Sequence, residues 1–251
     1  MKLIVLGSGG YHPQNERHTL CLVLPEAGLI LDAGTAFFRL ADYLDHRRWD
    51  IFLTHAHLDH IIGLTYYWSL ERQTTLGEIV VHGLNEKLEA VRSHLFAEPL
   101  FPKMPPYRFT PLDSPRPLLL ERPDWPPVEI RHFPLDHPGG SIGYRFDWAD
   151  RSLAYVTDTT VRAAESYLPH IRGVDLLLHE CYFPTGYEDL AAKTGHVSRV
   201  QAERVASAAG VKRLVLLHHN PAGDLRELEN SASADATVPV TMAYDGLALE
   251  F

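Results

Sequence analysis

Cysteine is nearly absent. Cys21 and Cys181 are the only two, so neither a disulfide framework nor a cysteine-rich zinc ribbon organises the chain. A basic excess is absent too. Lys plus Arg number 23 against 32 Asp plus Glu, a net charge of −9, which is the wrong sign for coating long nucleic acid by charge alone. A local basic patch, or a small anionic substrate held through metal, stays open. No apolar run approaches the roughly 18 residues of a membrane span. The opening Met1-Lys2-Leu3-Ile4-Val5-Leu6 is too short for a signal-peptide core and reads as a first strand, so the expected compartment is the cytoplasm.

What is present is ordinary in bulk. Of 251 residues, 45% are hydrophobic and 22% charged, the balance of a globular protein with enough chain for a large core. At about 150 residues per domain, one large domain or two small ones are allowed. The unusual residue is histidine, with 15 copies.

Short apolar runs bounded by Gly, Asp or Pro predict strands at Leu3–Leu6, Leu20–Leu24, Leu29–Leu31, Ile51–Leu53 and Ile79–Val81. Phe38, Ala41 and Leu44 predict a helix from Thr35, with Thr35 as its N-cap. Leu84, Leu88, Val91 and Leu95 form a second helical stripe. Ten of the 18 prolines lie from Pro99 to Pro127. Proline removes an N–H and restricts its predecessor, so this stretch is expected to resist regular structure. It reads as a linker or as a long excursion over one domain spanning 1–251. The excursion is favoured because metal-type residues lie on both sides. Its Phe101, Tyr107, Phe109 and Trp125 suit a stacking wall, a lid or an interface cover.

Beyond it, Val128–Phe133, Ile142–Phe146, Leu153–Val156, Leu176–Leu178 and Leu214–Leu217 read as strands. Ser198 and Gln201 form a capping box for a helix to Ala209, closed by Gly210. Asp245-Gly246 between Val238–Ala243 and Leu247–Leu249 predicts a hairpin.

The strongest signal is Thr54-His55-Ala56-His57-Leu58-Asp59-His60, directly after a buried strand. On extended chain His55 and His57 point to one side. A turn beginning near Leu58 brings Asp59 and His60 toward a second point. Imidazole and carboxylate suit a borderline divalent ion such as zinc, so one short loop can supply parts of two adjacent metal sites.

This segment resembles the His-x-His-x-Asp-His signature of the metallo-β-lactamase superfamily. Asp32-Ala33-Gly34, Asp136-His137-Pro138, Val156-Thr157-Asp158 and Leu217-His218 resemble the family's later elements over nearly the full chain. The resemblance implies an α/β fold, the four-layer αββα sandwich. It implies that His55, His57 and His137 hold one metal, that Asp59, His60 and His218 hold another, and that Asp158 bridges them. The ions expected are two divalent cations, zinc first, manganese or iron as alternatives. His219 is the rival of His218. His179-Glu180-Cys181 and Gly195-His196-Val197-Ser198 resemble motifs of the tRNase Z and phosphodiesterase branch. Carried over, His196 protonates the leaving group and Glu180 orients it, while Asp59 takes part at the metals.

The implied reaction is hydrolysis by a metal-bridging hydroxide, with a small cyclic or nucleotide-type phosphodiester as substrate. Many tRNase Z enzymes carry a long arm between the third histidine and the bridging aspartate. Here 20 residues separate His137 from Asp158 and no arm fits, so long nucleic acid is not the expected partner. Alternatives are a tRNase Z-like endoribonuclease and a glyoxalase II or lactonase-type hydrolase, which needs the same ligands. A homodimer is common among relatives. The Gly7-Ser8-Gly9-Gly10 run reads as a strand-ending turn, and both cysteines as small buried residues.

Overall fold

The computed structural model of the chain describes every residue except Pro115 and Asp235. Pro115, one of the excursion's prolines, lies outside the described residues. The chain divides into two compact units: Met1–Pro115 with Arg122–Pro126 and Asp245–Glu250, and Arg116–Glu121 with Pro127–Tyr244 and Phe251.

The first unit holds β1 (Lys2–Gly7), β2 (Cys21–Leu24), β3 (Leu29–Leu31), β4 (Trp49–Phe52), β5 (Ile79–Gly83) and β6 (Arg108–Pro111). β1 to β3 pair antiparallel, and β3 to β6 run parallel. Parallel strands are covered on both faces, and their near-continuous apolar runs follow from that. Ile30, Ile51 and Val81 belong to one buried cluster with Phe37, Leu40, Leu64 and Leu70 from the short helices. Each such side chain contributes roughly 1.5–3 kcal/mol on burial.

The second sheet holds β7 (Leu118–Arg122), β8 (Trp125–Leu135), β9 (Ser141–Asp147), β10 (Ser152–Val156), β11 (Leu176–Glu180), β12 (Leu214–Leu217) and β13 (Val240–Met242), in the order β13-β12-β11-β10-β9-β8-β7. β8 to β10 pair antiparallel, and β10 to β13 run parallel. Val156, Leu177 and Leu216 pack with Tyr167 and Ile171 of helix Ala164–Ile171 and with Val205 and Ala206 of helix Arg199–Ala209. That last helix has the expected capping box of Ser198 and Gln201 and ends at Gly210 with φ +61°. The final strand, β14 (Ala248–Glu250), pairs antiparallel with β1.

The parallel registers decide where chemistry can sit. Leu31 lies beside Phe52, so the chain leaves β3 at Asp32 next to the segment that leaves β4 toward His55. In the second sheet Val156 pairs with His179, and Glu180 with Leu217. Thr157-Asp158, Glu180 and His218 therefore leave the carboxyl ends of three neighbouring parallel strands.

Three expectations are corrected. The proline-rich stretch carries β6, β7 and the start of β8. β6 and β7 each lie at the edge of a sheet, where a missing N–H breaks no ladder. Two of its four aromatics belong to the core rather than to a wall or lid, while Phe101 and Phe109 pack against the same cluster and stay partly exposed. Tyr107 and Trp125 are buried; Tyr107 packs on Tyr67 with ring centroids 5.3 Å apart, and Trp125 on Trp49 at 5.4 Å. Asp245-Gly246 is not a hairpin turn, because β13 and β14 belong to different sheets. The Asp245 carboxylate instead accepts from the Ser8 and His18 backbone N–H groups and from Arg39. Finally, Gly34 rather than Thr35 precedes the first helix, which is a 3-10 helix over Thr35–Asp42. The Thr35 hydroxyl is taken by the backbone N–H of Thr19, at 2.9 Å.

Among the described residues, no helix is long and apolar enough to cross a membrane.

Candidate metal centre

In the first unit the loop after β4 runs extended to His57 (ψ 149°) and turns into a helical segment at Leu58–Ile61, where the sequence placed the turn. The His55 ring lies 4.4 Å from that of His57 and 4.3 Å from that of His60. Asp32 fixes the loop from beneath. Fully buried, its carboxylate accepts the Thr54 backbone N–H at 2.8 Å, the Thr54 hydroxyl at 2.9 Å and His60 Nδ1 at 2.9 Å. The Thr54 hydroxyl, donating to Asp32, accepts from His55 Nδ1 at 3.1 Å. Both imidazoles thus carry their proton on Nδ1 and turn the Nε2 lone pair outward, the tautomer a metal ligand needs. His60 Nε2 faces Asp59 Oδ2 at 3.3 Å. With its Nδ1 directed at Asp32, the ring presents Nε2 to that carboxylate, and a divalent cation placed between them would satisfy both. Asp59 Oδ2 also accepts the Tyr11 backbone N–H at 2.8 Å.

The second unit repeats the device. His137 Nδ1 donates to the Gly195 carbonyl at 2.8 Å, and its Nε2 faces Asp158 Oδ2 at 3.4 Å. His218 Nε2 lies 3.2 Å from Asp158 Oδ1. Ligand-type atoms of Asp158, His196 and His218 all fall within 4.8 Å of one another. His219 points elsewhere: Nδ1 faces the Cys181 carbonyl at 3.3 Å and Nε2 the Ala243 carbonyl at 3.2 Å. The geometry therefore separates the two candidates and places His218, not His219, beside Asp158.

Glu180, fully buried, spends one oxygen on the Thr159 N–H at 2.5 Å and the other on His196 Nδ1 at 3.1 Å. The His196 ring is stacked on Tyr182, with centroids 4.1 Å apart and planes 8° from parallel. Held at Nδ1 and on one face, it has only Nε2 to offer a ligand. Gly195 is required here. Its φ is +84°, and a Cβ would lie 2.9 Å from His137 Nδ1 and 2.5 Å from Pro138 Cδ. His179 is structural: Nε2 meets the Tyr167 hydroxyl at 3.1 Å, and burial holds its pKa below the ordinary value. Burial likewise raises both cysteine thiols, so neither is a nucleophile at neutral pH.

Sequence reasoning did not anticipate the backbone. Four non-glycine residues have positive φ: Tyr11 (60°), Asp32 (54°), Asp158 (53°) and His218 (58°). Three of them leave strand ends in the two histidine–carboxylate clusters, and Tyr11 binds Asp59. Left-handed backbone costs such residues on the order of 1–3 kcal/mol each and persists where the surroundings over-determine it. Asp and His tolerate this region better than most side chains, which is the faint signal the sequence held. Tyr182 was missed as well, since an aromatic after a strand is usually core.

Mixed sheets whose parallel strands end in histidine and carboxylate loops define an α/β protein of the metallo-β-lactamase fold. Residues 29–219 match the family model described as Beta-lactamase superfamily domain, and the chain belongs to that superfamily. It is similar to a ribonuclease Z of Metallosphaera sedula, 27% identical over 87% of this chain and 88% of the relative. It is similar to the probable metallo-hydrolase YhfI of Bacillus subtilis, 26% identical over the whole of both chains. The crystal structure of YhfI superposes with a TM-score of 0.78 over 99% of both chains. A diphosphatase of the PhnP family superposes with a TM-score of 0.71 at 21% identity, over 100% of this chain and 97% of that one. The fold expected from the sequence is the fold observed. The interval between His137 and Asp158 is β9, a turn and β10, with no arm.

Proposed function

We propose that the chain is a metal-dependent hydrolase acting on a small cyclic or nucleotide-type phosphodiester. In this reading the metal-type residues serve a binuclear centre: His55, His57 and His137 would hold one ion, Asp59, His60 and His218 the other, with Asp158 shared by both. Zinc suits the nitrogen and oxygen donors, with manganese or iron as alternatives. When bound, such ions act as Lewis acids and lower the pKa of water to about 7.

The protein's own part is orientation and proton supply. Asp32 and the Gly195 carbonyl fix the ligand tautomers. Asp158 is held by the Thr157 hydroxyl at 2.7 Å. The observation that carries the phosphodiester reading is the Glu180–His196 pair. A lactone or thioester hydrolase has no need of a buried carboxylate that fixes a histidine beside Asp158 and His218. A departing alkoxide does need a proton, and general-acid catalysis is worth about 10²–10⁴-fold. The two-strand interval between His137 and Asp158, β9 and β10, and the net charge of −9 favour a small substrate over a tRNA-sized one.

Metal analysis joined to a substrate panel tests the reading. About two equivalents of metal, with hydrolysis of 2′,3′-cyclic AMP and bis(4-nitrophenyl) phosphate, are expected, and both properties fall in His57→Ala. Turnover of lactones and thioesters alone would overturn it.

A further inference from the structure

The segment between β1 and β2 runs out to Asp59 and returns, and one side chain from the other end of the sequence fastens both of its ends. Asp245 Oδ1 accepts the Ser8 backbone N–H and the Ser8 hydroxyl, each at 2.9 Å. Its Oδ2 accepts the His18 backbone N–H at 2.8 Å and Arg39 Nη1 at 2.6 Å. The Asp245 side chain is 7% exposed, and Arg39, which also donates to the Leu6 carbonyl, supplies its counter-charge. The Gly9 N–H closes the neck of the segment on the His18 carbonyl at 2.9 Å.

Between the fastened ends stands Tyr11, with φ at +60°, a conformation that bulky side chains avoid. Its ring is 72% exposed, so burial of the side chain is not what holds it there. The conformation aims the Tyr11 N–H at Asp59 Oδ2, 2.8 Å away, the oxygen that also faces His60 Nε2 at 3.3 Å. The returning end holds Asp59 a second time, where the Thr19 hydroxyl donates to the Asp59 carbonyl at 2.7 Å. We propose, on the metal-dependent reading above, that Asp245 is a positioning residue for the Asp59 carboxylate, acting through the Ser8–His18 segment and the Tyr11 N–H. Strained backbone persists only where its surroundings over-determine it, and Asp245 fixes both ends at once. The job calls for an acid. A carboxylate accepts on both oxygens, whereas an amide accepts on one side and donates on the other. Asn at this position leaves either the Ser8 or the His18 N–H facing an NH2 group. With one end loosened, Tyr11 relaxes toward negative φ and its N–H turns away from Asp59.

Asp245→Asn in the zinc-loaded protein tests this. Amide NMR reads the contact directly. The Tyr11 amide proton, shifted downfield by its bond to a carboxylate, moves upfield in the variant and exchanges faster with solvent. Competition with a chelator shows one of two zinc equivalents weakened by about 10–100-fold and the other within threefold. The variant also lowers the thermal midpoint, so a second substitution separates positioning from general loosening. Glycine adopts φ +60° without strain, and adding Tyr11→Gly to Asp245→Asn returns most of the lost affinity. A Tyr11 amide that stays in place in Asp245→Asn overturns the proposal. So does an amide that moves with both affinities unchanged, or an equal loss at both equivalents that Tyr11→Gly fails to restore. If the wild type takes up no metal, the metal-dependent reading fails, while a Tyr11 amide that still moves in Asp245→Asn upholds the hold of Asp245 on Asp59.

Discussion

His196 Nδ1 lies 3.1 Å from Glu180 Oε2, and both oxygens of that buried carboxylate are engaged. The pair is a proton-handling device, with Nδ1 tied and Nε2 presented. Its importance depends on what leaves. A 4-nitrophenolate departs without help, whereas an alkoxide needs a proton in the transition state. His196→Ala is expected to lower kcat by about 10²–10³-fold for a diester with an alkoxide leaving group. With 4-nitrophenyl esters it stays within about tenfold, and metal content is unchanged. A loss of equal size across leaving groups would show that His196 only positions other groups.

Asp32 should act through His60. Its carboxylate takes the His60 Nδ1 proton at 2.9 Å and two bonds from Thr54. Asp32→Asn preserves the shape, and Asn accepts a φ of +54° nearly as well as Asp. It removes the charge that makes the imidazole a better donor. Partners of ligand histidines are worth about 10–100-fold in metal affinity. Titration with a chelator should show that loss in Asp32→Asn, together with a lower thermal midpoint, because the new amide NH2 faces a donor that the carboxylate accepted. Unchanged affinity would mean that Asp32 is a fold residue alone.

How much of this was legible in the sequence differs by region. The strands were legible because parallel strands covered on both faces must be apolar along their length, as Leu176–Leu178 and Leu214–Leu217 are. The histidine loop was legible because four potential ligands in six residues have few other uses. The proline-rich stretch misled because composition reports which hydrogen bonds are missing, not whether a sheet edge needs them. Asp245-Gly246 misled for a related reason. Its local pattern suits a hairpin, but the Ser8, His18 and Arg39 partners of Asp245 lie more than 200 positions away in the chain. The left-handed positions at Asp32, Asp158 and His218 were invisible, because backbone conformation at a single residue leaves almost no trace in residue type.

Gly34 couples the Asp32 turn to the ligand loop. A Cβ there would lie 2.4 Å from the Asp59 carbonyl oxygen and 2.5 Å from that of Leu20. Both are backbone atoms, so no side chain can swing aside. Gly34→Ala must displace the segment bearing Asp59. Overpacking of this kind costs roughly 1–3 kcal/mol, and the strain falls on the ligand loop. The expected outcome is a lower thermal midpoint together with weaker metal binding. Gly173→Ala is the comparison: its φ is +66°, but a Cβ there meets nothing within 4 Å. That variant should lose stability and keep its metal affinity.

A buried ion network in the first unit sets the last expectation. Asp50, fully buried, is bound by His82 at 2.7 Å, Arg48 at 2.7 Å and Arg122 at 2.5 Å. Burial pushes its carboxyl up. The hydrogen bonds from His82 and Arg48, with the Arg122 charge, outweigh that and hold it below the ordinary value of 3.8. A carboxyl depressed by folding contributes stability that is complete above its unfolded pKa and is lost as pH falls through the folded one. Asp50→Asn leaves Arg122 with less compensation, and breaking a buried pair costs about 3–5 kcal/mol. Urea unfolding should therefore show a large gap between wild type and Asp50→Asn near neutral pH. That gap narrows once the pH drops below about 4, as the wild-type carboxyl takes up its proton. A gap that holds constant into the acid range would mean that Asp50 contributes through packing and not through its charge.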